Sequence, residues 1–273
     1  ALPLRIMIAA NILNVAGNAF TIYIMNMETR GVAIATLGAR VFSAVVITVL
    51  LLKQTPRKEI SAFIRPDIPA ARRIIRLGIP YSFENGMFYL GRILVLIMVA
   101  SFGTASIAAN AVAQAIVLFQ VLPGMAAVTG ITVVVARCVG AEDFKKAEHY
   151  NNRIAGGIYL FHFASCMLIL LLLPLIMQLY NLSPEATRLT KQIVMLHAFF
   201  TMAVWLASYA LPATFRAAGD TRFPMIVSVS CMLLCRVGFS YILGIVLGMG
   251  VVGVWLGMFG DWIVKGIIFI IRY

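Results

Sequence analysis

Eight predominantly apolar runs, each about 20 residues or more and parted by short polar connections, leave this 273-residue chain few folds to choose from. They fall at residues 3–25, 31–53, 77–101, 106–136, 153–180, 187–213, 223–247 and 250–271. Inside hydrocarbon every backbone N–H and C=O must be bonded within its own span, so such runs become helices. With 62% apolar residues, 12% charged ones and a mean hydropathy of +0.98, an ordinary soluble domain is excluded. The expected fold is an all-α polytopic membrane protein of eight transmembrane helices, with the lipid bilayer as its first partner.

A net charge of +12 could suggest nucleic acid, but its distribution argues otherwise. Seven Lys/Arg lie from Lys53 to Arg76, four from Arg137 to Arg153, and Arg216 and Arg222 flank a third connection. The alternate connections carry Arg30, Arg188 and Lys191. Basic loops stay on the cytoplasmic side. The expectation is therefore a multi-pass protein of the cell (cytoplasmic) membrane, both ends of this chain cytoplasmic, with no nucleic-acid partner.

The two ends of the chain resemble each other. Gly31, Val32, Leu37 and Gly38 recur as Gly250, Val251, Leu256 and Gly257 at an offset of 219, and Pro3 and Gly17 recur as Pro224 and Gly238 at 221. A repeated six-helix unit is a transporter architecture, because alternating access needs two bundles that move against each other. Residues 1–53 are then expected to be the last two helices of an N-terminal lobe. Residues 54–76 are a cytoplasmic linker in which Arg65-Pro66-Asp67 opens a short amphipathic helix carrying Arg72, Arg73 and Arg76. Residues 77–273 form a complete six-helix C-terminal lobe. The missing N-terminal helices of the same protein are an expected partner.

Polar residues inside such spans are the candidates for chemistry. Glu84 lies about 10 Å into its helix from Leu77, where an acid can load a proton or, ionised, hold a cation. Asn85 is beside it, Phe88 is one turn on, and Arg92, two turns along, is a possible partner. An acid next to an aromatic suits an organic cation. Asn110 and Gln114 share a helix face and either join helices or line a cavity; Gln120 follows. His197 is an intramembrane imidazole able to relay protons or to bond within the bundle, and His162 is a lesser candidate. Asp261 and Lys265, four apart, are expected to neutralise each other. Pro80, Pro123, Pro174 and Pro212 are expected to kink their helices. The pairs Gly244/Gly248 and Gly253/Gly257 suit close helix packing. Cys138, Cys166, Cys231 and Cys235 lack the neighbours of a metal site and read as packing residues. No catalytic or nucleotide-binding motif appears, so neither an enzyme nor a cofactor is expected.

The stretch Gly78-Ile79-Pro80, Glu84-Asn85, Phe88, Gly91-Arg92 resembles the multidrug and toxic compound extrusion (MATE) transporters, in a prokaryotic branch. So do Ala109-Asn110-Ala111, Pro123-Gly124, Val139-Gly140-Ala141 and Lys145-Lys146-Ala147. Arg216-Ala217-Ala218-Gly219-Asp220-Thr221-Arg222 is similar to the family's Arg-Gly-x-Gly-Asp-Thr loop, with Ala217 where glycine is usual. The resemblance covers the chain as helices five to twelve. It implies an antiporter of two six-helix lobes, exporting cationic or amphipathic drugs or metabolites in exchange for protons or sodium ions. The coupling-ion candidates are then Glu84 and Asn85, and the cavity candidates Phe88, Arg92, Asn110, Gln114 and His197. Two features depart from the family's sodium-dependent branch. Glu84 stands nearer the proline than that branch's acid, and no acid lies between Glu185 and Asp220, where the branch has an aspartate. Asp220 is expected to tie its loop to Arg216 or Arg222. The alternatives are a flippase for lipid-linked saccharides, which would call for several cavity arginines or lysines, and a non-transporting membrane scaffold.

Overall fold

The computed structural model describes residues 2–54 and 67–273. These are helical almost throughout. Helix α1 (Leu2–Ala19) winds into a π-helical end at Phe20–Ile24, and α2 spans Glu28–Gln54. Then come α3 (Ile68–Ala100), α4 (Thr104–Gly140), α5 (Phe144–Tyr180), α6 (Pro184–Ala203) and α7 (Trp205–Ala217). The span Arg222–Val246, here α8, contains two π-helical stretches, Met232–Val237 and Ile242–Val246. Helix α9 is Gly250–Arg272. Among the described residues seven helices are long and apolar enough to cross a membrane, or eight where the bent pair α6–α7 is counted as one span.

Local signals set the ends. Asp67, Asp143 and Ser183 each accept a backbone N–H three residues on, from Ala70, Lys146 and Ala186, which satisfies donors a helix start leaves open. Asp143 also meets Lys146 Nζ at 2.8 Å, and the bonds from Lys146 hold its carboxyl below the ordinary range. The arginine-rich residues from Ile68 onward, expected as a separate short helix, are the first turns of α3. The expected linker residues 55–66, with Arg65-Pro66, lie outside the described residues. The helices run on across Pro80, Pro123, Pro174 and Pro212. A break of 50° between α6 and α7 falls at Val204, where there is no proline.

The described chain divides into two compact units, Ala1–Arg72 and Arg73–Tyr273. In the second, α4 is the central helix and packs against α5, α6 and α7, while α9 packs against α7 and α8. Its core joins Val112, Ala113 and Ile116 of α4 to Ile193 and Val194 of α6, Trp205 of α7, and Val254, Trp255, Phe259 and Trp262 of α9. Gly124 is the notch that makes this possible: a Cβ there would run into the His162 ring and Trp205. Cys231 packs with Val227 and Phe269 in a smaller apolar cluster.

The repeat suspected from identities is visible in backbone geometry, in a different register. In the first unit Met25 N–H donates to Phe20 O, Met27 to Thr21 O and Gly31 to Met27 O. In the second Leu247 donates to Ile242 O, Met249 to Leu243 O and Gly253 to Met249 O, every partner shifted by 222 residues (27 to 249, 31 to 253). Left-handed residues obey the same offset: Asn26 (φ 51°) answers Gly248 (φ 68°), and Glu28 (φ 45°) answers Gly250 (φ 61°). Gly31 therefore matches Gly253 rather than Gly250, and Gly248 serves the turn rather than helix packing. Each matched glycine faces the same structural partner, Thr21 for Gly31 and Leu243 for Gly253.

A Cβ on Gly253 would stand 2.6 Å from Leu243 O, a backbone atom that cannot swing away, whereas a Cβ on Gly38 meets nothing within 4 Å. Gly253→Ala is expected to lower unfolding stability in detergent by about 1–3 kcal/mol. Gly38→Ala is expected to leave it unchanged or slightly higher, so equal midpoints for the two variants would refute the close approach.

Candidate functional site

One face of α3 carries Tyr81, Glu84, Phe88, Gly91, Val95 and Val99, spaced by three and four residues so that they form a single stripe. At its far end Val99 is fully buried and Val95 packs on the core. Toward the other end the stripe turns polar and meets the bundle through long side chains.

The first of these contacts is an ion pair. Arg216, at the end of α7, donates through Nη1 to both oxygens of Glu84, at 3.2 and 3.0 Å. The two side chains are only 21% and 15% exposed, so the pair is largely out of water. The Arg216 guanidinium also lies over the Tyr81 ring, 5.1 Å from its centroid. Glu84 is thus partnered by Arg216 rather than Arg92. Asp220, expected to hold Arg216 or Arg222, pairs with Arg272 at 3.2 Å and caps α8 through Phe223 N–H. Gly219 makes the turn between them with φ 93°.

One turn further, Arg236 of α8 lies over the Phe88 ring at 5.1 Å. It belongs to the π-helical stretch Met232–Val237 and is 6% exposed. Gly91 makes room for the Met232 side chain beside it. Arg92 reaches α4 instead, donating from Nη2 to Gln114 Oε1 at 3.3 Å. The two features that suited an organic cation, the acid and the aromatic, each face one of the chain's own guanidiniums.

Deeper in the bundle is a separate polar network. His197 Nδ1 is 2.6 Å from Gln120 Oε1 and 3.1 Å from Thr201 Oγ1, walled by Trp255, Phe259 and Trp262. The Gln120 carbonyl accepts from Ser165 Oγ. Asn110 accepts from Trp255 Nε1 at 3.1 Å. Asp261 and Lys265 pair at 3.6 Å as expected, both nearly fully buried, with Lys265 Nζ over the Tyr209 ring.

The residues named from sequence thus fall into three places. Glu84, Phe88 and Arg92 gather on the α3 stripe, and Gln114 joins through Arg92. Asn110 and His197 are 7% and 3% exposed and bonded inside the helix packing, so they join helices. Asn85 points away, its Nδ2 donating to Tyr81 O on its own helix. Arg216 was missed as the partner of Glu84. Its signal was present, a basic residue ending a helix beside a family-like loop, but nothing in a linear sequence pairs residues 132 apart. His162 packs edge-on against Trp205.

Comparison with known proteins agrees with this architecture. The MatE family model matches residues 80–242. The uncharacterized transporter YisQ of Bacillus subtilis is 25% identical over 97% of this chain and 59% of its own length. A probable multidrug resistance protein NorM of Thermotoga maritima is 22% identical over 86% of this chain and 50% of its own. The chain therefore spans about half to three-fifths of these relatives. Among solved structures, an outward-facing multidrug resistance MATE family transporter of the MOP superfamily superposes with a TM-score of 0.86 at 20% identity, covering 98% of this chain and 60% of that one.

The separation of structural from exposed polar residues can be measured. A double-mutant cycle on Asn110→Ala and Trp255→Phe is expected to show a coupling of roughly 0.6 kcal/mol, and no more than ~1.7, as for hydrogen bonds between membrane helices. Asn85→Ala is expected to change neither stability nor transport. A vanishing cycle energy would remove the Asn110–Trp255 bond from the account of the packing.

Proposed function

The chain belongs to the MatE family of transporters, and from that premise we propose that it forms part of a secondary antiporter exporting amphipathic compounds in exchange for protons or sodium ions. The basic connections around residues 137–153 and 216–222 support a reading in which these loops are cytoplasmic and the membrane is the plasma membrane. The observation that carries the reading is the Glu84–Arg216 pair, which fastens α3 to the end of α7.

The chemistry follows from competition. A carboxylate largely removed from water needs a positive partner. Arg216 supplies one when nothing else does. A proton or a sodium ion arriving at Glu84 takes over that role and frees Arg216, so occupancy by the coupling ion and contact between α3 and α7 exclude each other. Such an element has two states, and an ion that prefers one of them shifts the population. Exchange results when cargo favours the opposite state. An amphipathic cargo is supported by α3, whose stripe sets apolar Phe88 and Val95 beside charged Glu84, with the charged Arg92 next to the stripe. A flippase for a lipid-linked saccharide is the second reading. It is favoured by Arg236 and Arg92, whose guanidiniums suit phosphate oxygens.

In the full-length protein reconstituted in vesicles, Glu84→Gln is expected to reduce gradient-driven efflux by at least about 10-fold, within the range of ordinary coupling energies. Arg216→Gln is expected to keep ion binding but weaken the dependence of efflux on the gradient. Undiminished coupling in the Glu84→Gln protein would take this acid out of the mechanism.

A further inference from the structure

Two basic side chains are buried within the second unit, Lys265 and Arg236. Lys265 has its acid, Asp261, four residues away on the same helix. The less buried basic residues Arg216, Arg272 and Lys146 also have theirs, in Glu84, Asp220 and Asp143. Arg236 differs. Among the described residues no carboxylate lies within ion-pair distance of it and no side-chain hydrogen bond engages it; its guanidinium lies instead over the face of Phe88. A ring face replaces only part of what a guanidinium loses on leaving water.

Its placement makes the exception more pointed. Arg236 stands near the middle of the Arg222–Val246 span, where a charge is most costly and is kept for function. It is carried by a π-helical stretch, a distortion that recurs at functional sites and turns one side chain out of the regular helical order. Arg92, exposed and one turn beyond Phe88 on α3, donates to the neutral Gln114 and has no carboxylate partner among the described residues. Among the described residues, the side chains meeting along α3 thus include three guanidiniums, on Arg92, Arg216 and Arg236, against one carboxylate, Glu84, which Arg216 already occupies.

We propose that Arg236 is the subsite for an anionic group of the transported amphiphile, a carboxylate or a phosphate, that Phe88 covers the guanidinium until that group displaces it, and that Arg92, one turn beyond Phe88 on α3, adds positive charge to the same helix face. This rests on the antiporter reading above and assigns its cargo a polarity opposite to the one that Glu84 and Phe88 suggest by themselves. The arginine fork meets two oxygens of such a group at once. The apolar remainder of the amphiphile packs where Phe88 and Met232 now meet α3 and α8. No bond is made or broken; the anion exchanges one partner of Arg236 for a stronger one.

The test is equilibrium binding to detergent-purified full-length protein, which needs no ion gradient and so stands or falls separately from the antiport mechanism. Fluorescein, an amphipathic carboxylate, serves as the anionic probe and ethidium as the cationic one, both followed by fluorescence anisotropy. Arg236→Gln is expected to weaken fluorescein binding at least about 10-fold and to leave ethidium binding equal or tighter. Arg236→Lys is expected to keep an intermediate affinity. Phe88→Leu, which leaves the charge in place, is expected to bind fluorescein roughly 3-fold more tightly because a competitor is gone. Phosphatidic acid in mixed micelles, set against phosphatidylcholine alone, separates the two sources of the anion. Displacement of fluorescein by phosphatidic acid identifies a lipid headgroup, and its failure to displace identifies a soluble amphiphile. The proposal is overturned if fluorescein does not bind the wild-type protein, or if it binds Arg236→Gln and Phe88→Leu as it binds wild type. Gradient-driven efflux of either probe is then measured on the same variants. Absence of all efflux together with Arg236-dependent fluorescein binding would reject the antiport reading and keep the subsite.

Discussion

A charge carried into an apolar bundle has to be answered there, and the arrangement of this chain follows from how each one is answered. Desolvating an isolated ion costs several kcal/mol, comparable to a large part of a domain's net stability. Asp261 and Lys265 answer each other along one helix, which fixes no relation between helices. Glu84 and Arg216 come from different helices, so satisfying them ties α3 to α7. An ion pair of that kind does two things at once: it positions an element, and it makes that position conditional on what else can bind the acid. The seam along α3 is built largely from contacts of this conditional sort, whereas α4, α6, α7 and α9 are joined by close apolar packing and by bonds such as Trp255 to Asn110. A rigid body beside a helix held by exchangeable contacts is the physical requirement for a moving part.

The repeated helix ends add a second constraint. At both ends of the described chain a helix overwinds into π geometry, turns through two left-handed residues, and brings a glycine back against the turn it has left. Six backbone atoms in the first unit do the same thing as six in the second, 222 residues on, although few side chains agree. Asn26 and Glu28 adopt in the first unit a conformation that Gly248 and Gly250 adopt in the second. Backbone geometry therefore preserves the relation that residue identities had largely lost. It also explains why matching identities alone gave a register three residues out at Gly31. Apolar helices offer many accidental matches, while the turn that defines the true register is made by residues that differ.

Much of the architecture was legible in linear order. The apolar runs located the seven spanning helices and the bent pair α6–α7, because hydrocarbon admits no backbone left unbonded. The bend between α6 and α7 was not legible at Val204, since proline was the kink signal available and none stands there. Of the named site residues, Glu84, Phe88, Arg92 and Gln114 come together on one seam. Asn110 and His197 look the same on paper, polar residues in apolar helices, yet they are consumed by Trp255, Gln120 and Thr201. A linear sequence shows that a polar group is buried in a span; it does not show whether a neighbour from another helix has already met its needs.

By itself the sequence determined the class of solvent the chain lives in, the order of its apolar runs, and the presence of two acids, Glu84 and Asp261, and several basic residues within those runs, since these depend on local composition and on the cost of unbonded backbone in hydrocarbon. Only the tertiary structure decided which charges meet. It paired Glu84 with Arg216 and set Phe88 over Arg236, leaving that guanidinium without an acid. Those outcomes turn on distances of a few ångströms between residues more than a hundred positions apart, and the electrostatic energy that separates a neutralised charge from an exposed demand for a partner exists only once the helices are side by side.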